Sequence, residues 1–406
     1  MTAAAAHAPP RPPTALLDEV AAVSRRYGAD PEFARAGGGN CSGKADGVLW
    51  IKPSGVPLAS MSAEALMPVA LAPLRAMLGD PGAAAIPGSD AVMRVAMAAR
   101  LRPDDDRRPS VECLFHALLP DPIVLHTHPT TVNALTCAVR GRELATELLG
   151  GSALWIAYAD PGLPLARRIA EERRAFEQAT GDDPPRTVLL QNHGLIVSGE
   201  SGAEIDARSG SVVDAVCRQL DGRPGRPDTD TGAVTERADI ARLVGALEET
   251  LDRRVVFDGS PPAHQLATTA AGRAFVRAGP LTPDQIVYAG SWPLLLDPLP
   301  AGGPVERQDA LRRALEDHRA TAGAEPSIVV AAGLGVFGVG DTPGEAATAR
   351  DLYLDAWHVG RGADRLGGAR PMAPEERRFI EQWEAEAYRR GVAAAAGAAD
   401  RPEKGR

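Results

Sequence analysis

Cysteine is sparse in this chain: Cys41, Cys113, Cys137 and Cys217 are the 4 present, and none form a C-x-x-C pair. A disulfide-stapled scaffold is excluded, and reduced thiols in a cytoplasmic protein are expected. No apolar run approaches the ~18 residues of a membrane-spanning helix. There is also no basic block. Net charge is -9, with acidic and basic residues interspersed, so neither nucleic acid nor an anionic membrane is an expected partner. The first 13 residues are rich in Ala and Pro. They lack a basic segment followed by an apolar one, so they do not read as a signal peptide. Lysine is scarce while Ala, Arg, Pro and Gly are plentiful, a bias of codon usage rather than of function.

What remains is an ordinary globular composition, 44% hydrophobic over 406 residues, long enough for two domains. Residues 1–13 are expected to be a disordered arm and 14–220 a first domain. Residues 221–235, rich in Gly, Pro, Asp and Thr, read as a linker, 236–390 as a second α/β region and 391–406 as a frayed tail. Helices are expected at 14–27, 61–78, 130–139, 165–178, 204–220, 238–251, 309–318 and 346–357, with another capped by Ser110 and containing Glu112 and His116. Asp46-Gly47 is a hairpin signal leading into the strand 48–51, and further strands are expected at 123–125, 187–191, 254–257 and 327–330. Residues 187–201 echo 327–342, with Leu334 where the first copy has His193. The echo suggests a degenerate repeat that keeps a fold and loses a ligand.

Of the 8 histidines, three fall where a strand gives way to a turn. His126 and His128 are two apart, and on a strand such residues project from one face. His193 follows a second short strand. Together they could present three nitrogens to a divalent cation and leave positions open for substrate, an arrangement suited to zinc. Isolated H-x-H pairs also occur in cores without a ligand. Glu112 opens a helix, where a carboxylate gains from the helix dipole; beside a metal it could instead act as a general base. His116, four residues on, fits a packing role on that helix.

Gly38 to Lys44 begins like a P-loop, but Ala45 replaces the hydroxyl that would hold magnesium, and a hairpin follows rather than a helix. Nucleotide binding is rejected. Backbone amides there, with Asn40, Ser42, Ser54 and Gly55 and charge from Lys44 or Lys52, could cradle a single phosphate. From spacing alone, two tight turns without a ligand are the better reading of the segment.

Gly38-Gly39-Asn40-Cys41-Ser42, Lys52-Pro53-Ser54-Gly55, Pro109-Ser110-Val111-Glu112, His126-Thr127-His128-Pro129 and Gln191-Asn192-His193-Gly194 occur in this order. Together they resemble the class II aldolase/adducin family over roughly residues 14–220. The stretch from Tyr158 to Gly162 and the long second half look like the aldolase portion of bifunctional rhamnulose-phosphate aldolase/dehydrogenase proteins, whose dehydrogenase portion is not seen here. The resemblance implies an α/β/α sandwich around a mainly antiparallel sheet. It implies zinc (or manganese or cobalt) on His126, His128 and His193, with Glu112 as ligand or base. It further implies a phosphate pocket from Asn40, Ser54, Gly55 and Ser110, a homotetramer with shared active sites, and a tyrosine proton donor, for which Tyr158 is the candidate. Val111 after Ser110, and Cys41, depart from the phosphate-binding pattern. The expected activity is reversible cleavage of a ketose 1-phosphate to dihydroxyacetone phosphate and an aldehyde. Sugar-phosphate epimerisation, dehydration, an unphosphorylated substrate and a non-catalytic adducin-like assembly role stay open.

Overall fold

The computed structural model describes residues 12–79, 90–222, 224 and 237–383. Most of the expected arm, most of the expected linker and the expected tail lie outside the described residues. The described residues divide into two compact units, one from residues 12–129, 145–214 and 383, the other from residues 130–144 and 215–382. Residues 130–144, assigned to the first region on sequence grounds, thus cluster with the second unit.

The first unit is built on seven strands: β1 (Asn40–Ala45), β2 (Val48–Ile51), β3 (Met67–Ala70), β4 (Ile123–Thr127), β5 (Leu154–Ile156), β6 (Thr187–Leu190) and β7 (Gly194–Gly199). Their order is β3-β2-β1-β4-β7-β6-β5, antiparallel throughout except for the parallel pair β5–β6. Asp46 and Gly47 both have positive φ, 48° and 76°, the two-residue turn whose twist matches that of its strands. One face carries the main core, where Leu49, Ile51, Val124, Val188 and Ile196 meet Leu114 and Phe115 of the helix Cys113–Leu118 and Leu165 and Ile169 of the helix Leu163–Thr180. The other face takes the helix Thr14–Ala29, close enough that a Cβ on Gly43 would lie 3.2 Å from Val20. Helices on both faces of a mainly antiparallel sheet make an α/β/α sandwich, as expected.

The helix expected at 61–78 is a correction. Only Leu71–Gly79 is helical, while Met67–Ala70 forms the edge strand β3, pairing with β2 so that Pro68 lies opposite Trp50. Proline lacks the N–H that a helix interior needs, and an edge strand tolerates that loss.

The second unit holds β8 (Arg254–Asp258), β9 (Leu294–Leu296), β10 (Ile328–Ala331) and β11 (Gly335–Gly340), in the order β8-β11-β10-β9. The pairings run antiparallel, antiparallel, parallel, the same succession as β4-β7-β6-β5. Local hydrogen bonds repeat as well. The amide of His193 donates to Leu190 O at 3.1 Å, and that of Leu334 to Ala331 O at 3.0 Å. The amide of Gln191 donates to Ile156 O at 3.0 Å, and that of Ala332 to Leu296 O at 2.9 Å. Beyond each hairpin a glutamate at the start of the following helix accepts from a backbone amide, Glu204 from Glu200 and Glu345 from Asp341. The second sheet is therefore a structural repeat of half of the first. Strand register sets Phe257 at the position of His126, which puts Gly259 at that of His128; the matching turn puts Leu334 at that of His193. The fold recurs without the imidazoles.

Candidate metal centre

β4 carries His126 and delivers His128 one residue past its end. The tight turn between β6 and β7 delivers His193, with Asn192 in the left-handed region at φ 54°. Pairing of β4 with β7 brings the two segments together, His126 opposite Ile196. His126 Nδ1 donates to Leu195 O at 3.0 Å, so its Nε2 carries the lone pair. That atom lies 3.0 Å from His128 Nε2 and 3.3 Å from His193 Nε2. The three residues each place a ring nitrogen within 4.8 Å of the others. Burial, then the adjacent His128 and His193, hold the His126 imidazole well below its ordinary range. It stays neutral, the form that binds a cation. A backbone carbonyl orienting one imidazole while its other nitrogen meets two more is the donor set of a three-histidine divalent-metal site, and the residues fit that ion.

Glu112 lies over this cluster, its Oε2 3.6 Å from His126 Nε2 and its Oε1 3.5 Å from His193 Nε2. It is the N-cap residue of the helix Cys113–Leu118 rather than part of that helix. Ser110 is not the cap; its hydroxyl accepts from the Glu112 amide at 3.2 Å.

Asn40 and Ser42, alternate residues of β1, point their side chains toward this helix. Asn40 Nδ2 donates to Glu112 Oε2 at 2.6 Å and to Ser110 Oγ at 3.3 Å, while its Oδ1 meets His116 Nε2. Ser42 Oγ lies 2.7 Å from His116 Nδ1. Both side chains are buried and hydrogen-bonded within this network. Their shared strand face is aimed at the helix, not at open space.

Ser54 and Gly55 sit in the turn after β2. The Ser54 amide donates to Arg108 O at 2.8 Å, and a bridge between Pro53 and Pro109 sets this turn beside Ser110. Gly55 has φ 81°, a conformation that suits glycine. Lys44 Nζ donates to His116 O at 2.9 Å, and Lys52 Nζ to Val56 O at 2.7 Å. Both lysines are buried. Burial brings the Lys44 ammonium down to about 7.

Tyr158 follows β5 and is partly exposed. Its amide donates to Gln191 Oε1 at 3.1 Å and its hydroxyl to Asp160 Oδ1 at 3.3 Å. The sequence reading missed His116, which it assigned to packing. Its ring does stack on Phe115, centroids 4.7 Å apart, but both of its nitrogens are also engaged. The spacing Glu112-x-x-x-His116 was the available signal.

Residues 18–219 match the family described as Class II Aldolase and Adducin N-terminal domain, and residues 311–389 match Aldolase class II, second domain. The chain belongs to the class II aldolase and adducin family. A relative from Bacillus subtilis (strain 168), named Uncharacterized oxidoreductase YuxG, is 24% identical over 412 aligned positions, covering 92% of this chain and 58% of its own length. The chain thus spans little more than half of that relative. Similar solved structures include the N-terminal class II aldolase domain of a conserved protein from Thermoplasma acidophilum, with 24% identity, TM-score 0.43 and coverage of 49% of this chain and 91% of that one. Another is l-fuculose-1-phosphate aldolase from Thermus thermophilus, with 20% identity, TM-score 0.33 and coverage of 51% and 93%.

Proposed function

We propose that this chain is a zinc-dependent aldolase that reversibly cleaves a ketose 1-phosphate into dihydroxyacetone phosphate and an aldehyde. The observation that carries the reading is the convergence of His126, His128 and His193 beneath a carboxylate 3.5 and 3.6 Å from two of them. These histidines would hold the cation, zinc in the first instance and manganese or cobalt as alternatives. A divalent cation there supplies Lewis acidity toward a ketone oxygen.

The chain's own groups supply the proton transfers. In the direction of synthesis Glu112 removes the proton from the carbon next to the carbonyl, and the resulting enediolate carbon attacks the aldehyde. Tyr158 donates its phenolic proton to the alkoxide that forms. A proton passed from Glu112 back to Tyr158 through solvent restores both groups. Cleavage runs the same steps in reverse. The juxtaposed loops bearing Ser54, Gly55 and Ser110 are our candidate for the phosphate, with backbone amides as donors. A homotetramer, a cytoplasmic setting and correspondence to the aldolase portion of a longer aldolase/dehydrogenase belong to the same reading.

The test is a coupled assay for dihydroxyacetone phosphate on metal-quantified protein given ketose 1-phosphates, with a chelator and a His128→Ala variant as controls. Chelator-sensitive release supports the reading. Stoichiometric metal without release from any ketose 1-phosphate refutes the aldolase activity, and protein purified without chelator that holds no metal refutes the metal site.

A further inference from the structure

We infer that His116 is a positioning residue, a fixed ring that turns the Asn40 amide so that its N–H points at Glu112. This rests on the proposal that Glu112 moves a proton beside the metal. The carboxylate sets the first direction. Glu112 Oε2 accepts from Asn40 at 2.6 Å, so the amide nitrogen, not the oxygen, faces it. Asn40 Oδ1 is thereby turned toward His116 Nε2, and an amide oxygen can only accept, so Nε2 carries the ring proton. Nδ1 is left as the acceptor, and Ser42, 2.7 Å away, donates to it.

Every link thus has one direction: Ser42 to His116, His116 to Asn40, Asn40 to Glu112. A reversed Asn40 would set its oxygen against a carboxylate. His116 is held from several sides. Its ring is fully buried and stacked on Phe115, and its carbonyl accepts from Lys44 at 2.9 Å. Burial, with Lys44 and Lys52 nearby, keeps the ring neutral, consistent with a single proton. The same asparagine nitrogen also reaches Ser110 Oγ at 3.3 Å, so His116 orders the loop before Glu112 as well. Proper orientation of a reacting group is worth far more than the strength of the bonds that hold it.

Two measurements test this. The first needs no turnover: ring-nitrogen NMR of 15N-histidine-labelled protein. His116 is expected as the Nε2–H tautomer, and Ser42→Ala, which removes the donor to Nδ1, should shift the Nδ1 resonance while the proton stays on Nε2. A wild-type ring protonated at Nδ1 overturns the inference. The second compares His116→Phe, which keeps a ring on Phe115 but no donor, with His116→Gln, whose amide can donate to Asn40. Loss of an orienting partner commonly costs about 10–100-fold. His116→Phe should lose kcat in that range with KM and bound metal unchanged, and His116→Gln should recover most of it. Equal impairment of both variants, or impairment of neither, overturns the inference. If wild-type protein shows no aldolase turnover, the functional reading fails by itself and the tautomer experiment still decides the role of His116.

Discussion

Gly194 provides the sharpest test of how the backbone holds the three histidines together. A Cβ at this position would lie 2.4 Å from Thr127 O, 2.9 Å from His128 Cδ2 and 3.4 Å from His126 Cε1. The first of these is backbone and cannot rotate away. To restore ordinary contact near 3.4 Å, β7 and β4 must part by about 1 Å in Gly194→Ala. Metal–ligand distances tolerate only about 0.2 Å, so the strain falls on the separation between His193 and the other two imidazoles. The repeat supplies the control. Gly335 occupies the matching place in the second sheet, where a Cβ would lie 2.4 Å from Asp258 O, with Phe257 and Leu334 nearby instead of histidine. Overpacking of this kind costs about 1–3 kcal/mol, and the 153° φ of Gly335 adds strain there. Both variants should therefore lower Tm in the chelated protein, by about 2–4 °C per kcal/mol for units of this size. Only Gly194→Ala should weaken divalent-metal binding, by about 100-fold or more in a titration against a chromophoric chelator. Wild-type metal affinity in Gly194→Ala, or equal loss in both variants, would refute the reasoning.

Three further outcomes are expected. Glu112→Gln should keep the bound metal and lose about 10²–10⁴-fold in kcat, the usual worth of a general base; near-normal turnover removes Glu112 from that role. His116 and His126 are both held well below the ordinary histidine range by burial, so below about pH 6.5 the unfolded chain takes up protons that the folded one refuses. Stability of the chelated protein should accordingly fall with falling pH, by up to about 1.4 kcal/mol per pH unit for each of the two, and His116→Gln should shed one such contribution in urea titrations between pH 6.5 and 5. For the thiols, Cys41, Cys113 and Cys137 are buried and burial raises them to about 11, 12 and 12, whereas Cys217 is partly exposed. One thiol should react with an aromatic disulfide reagent in native protein at pH 8, mapping to Cys217, and the other three only on unfolding.

Much of the metal centre was legible because its signals are local. His126 and His128 share a strand face by the period of the strand itself, Asp46-Gly47 dictates its own hairpin, and the echo of 187–201 in 327–342 is a pattern within one chain. The helix misread at 61–78 shows where local reading ends. An apolar run containing Pro68 is consistent with more than one structure, and pairing with β2 decided it. The partners of Asn40 and Ser42 lay beyond local reading for a similar reason. Their residue types suit phosphate, but the face of β1 that carries them is turned to the helix Cys113–Leu118.

The sequence alone determined the ligand chemistry, the turns and the family likeness, since each depends on residue types a few positions apart. Tertiary structure decided that His193, 67 residues from His126, lies 3.3 Å from it, because only the register of β4 on β7 sets that distance. It likewise decided the path from Ser42 through His116 and Asn40 to Glu112, whose links span 74, 76 and 72 residues. Hydrogen bonds of that kind depend on directions that fold packing imposes, and no spacing along the chain encodes them.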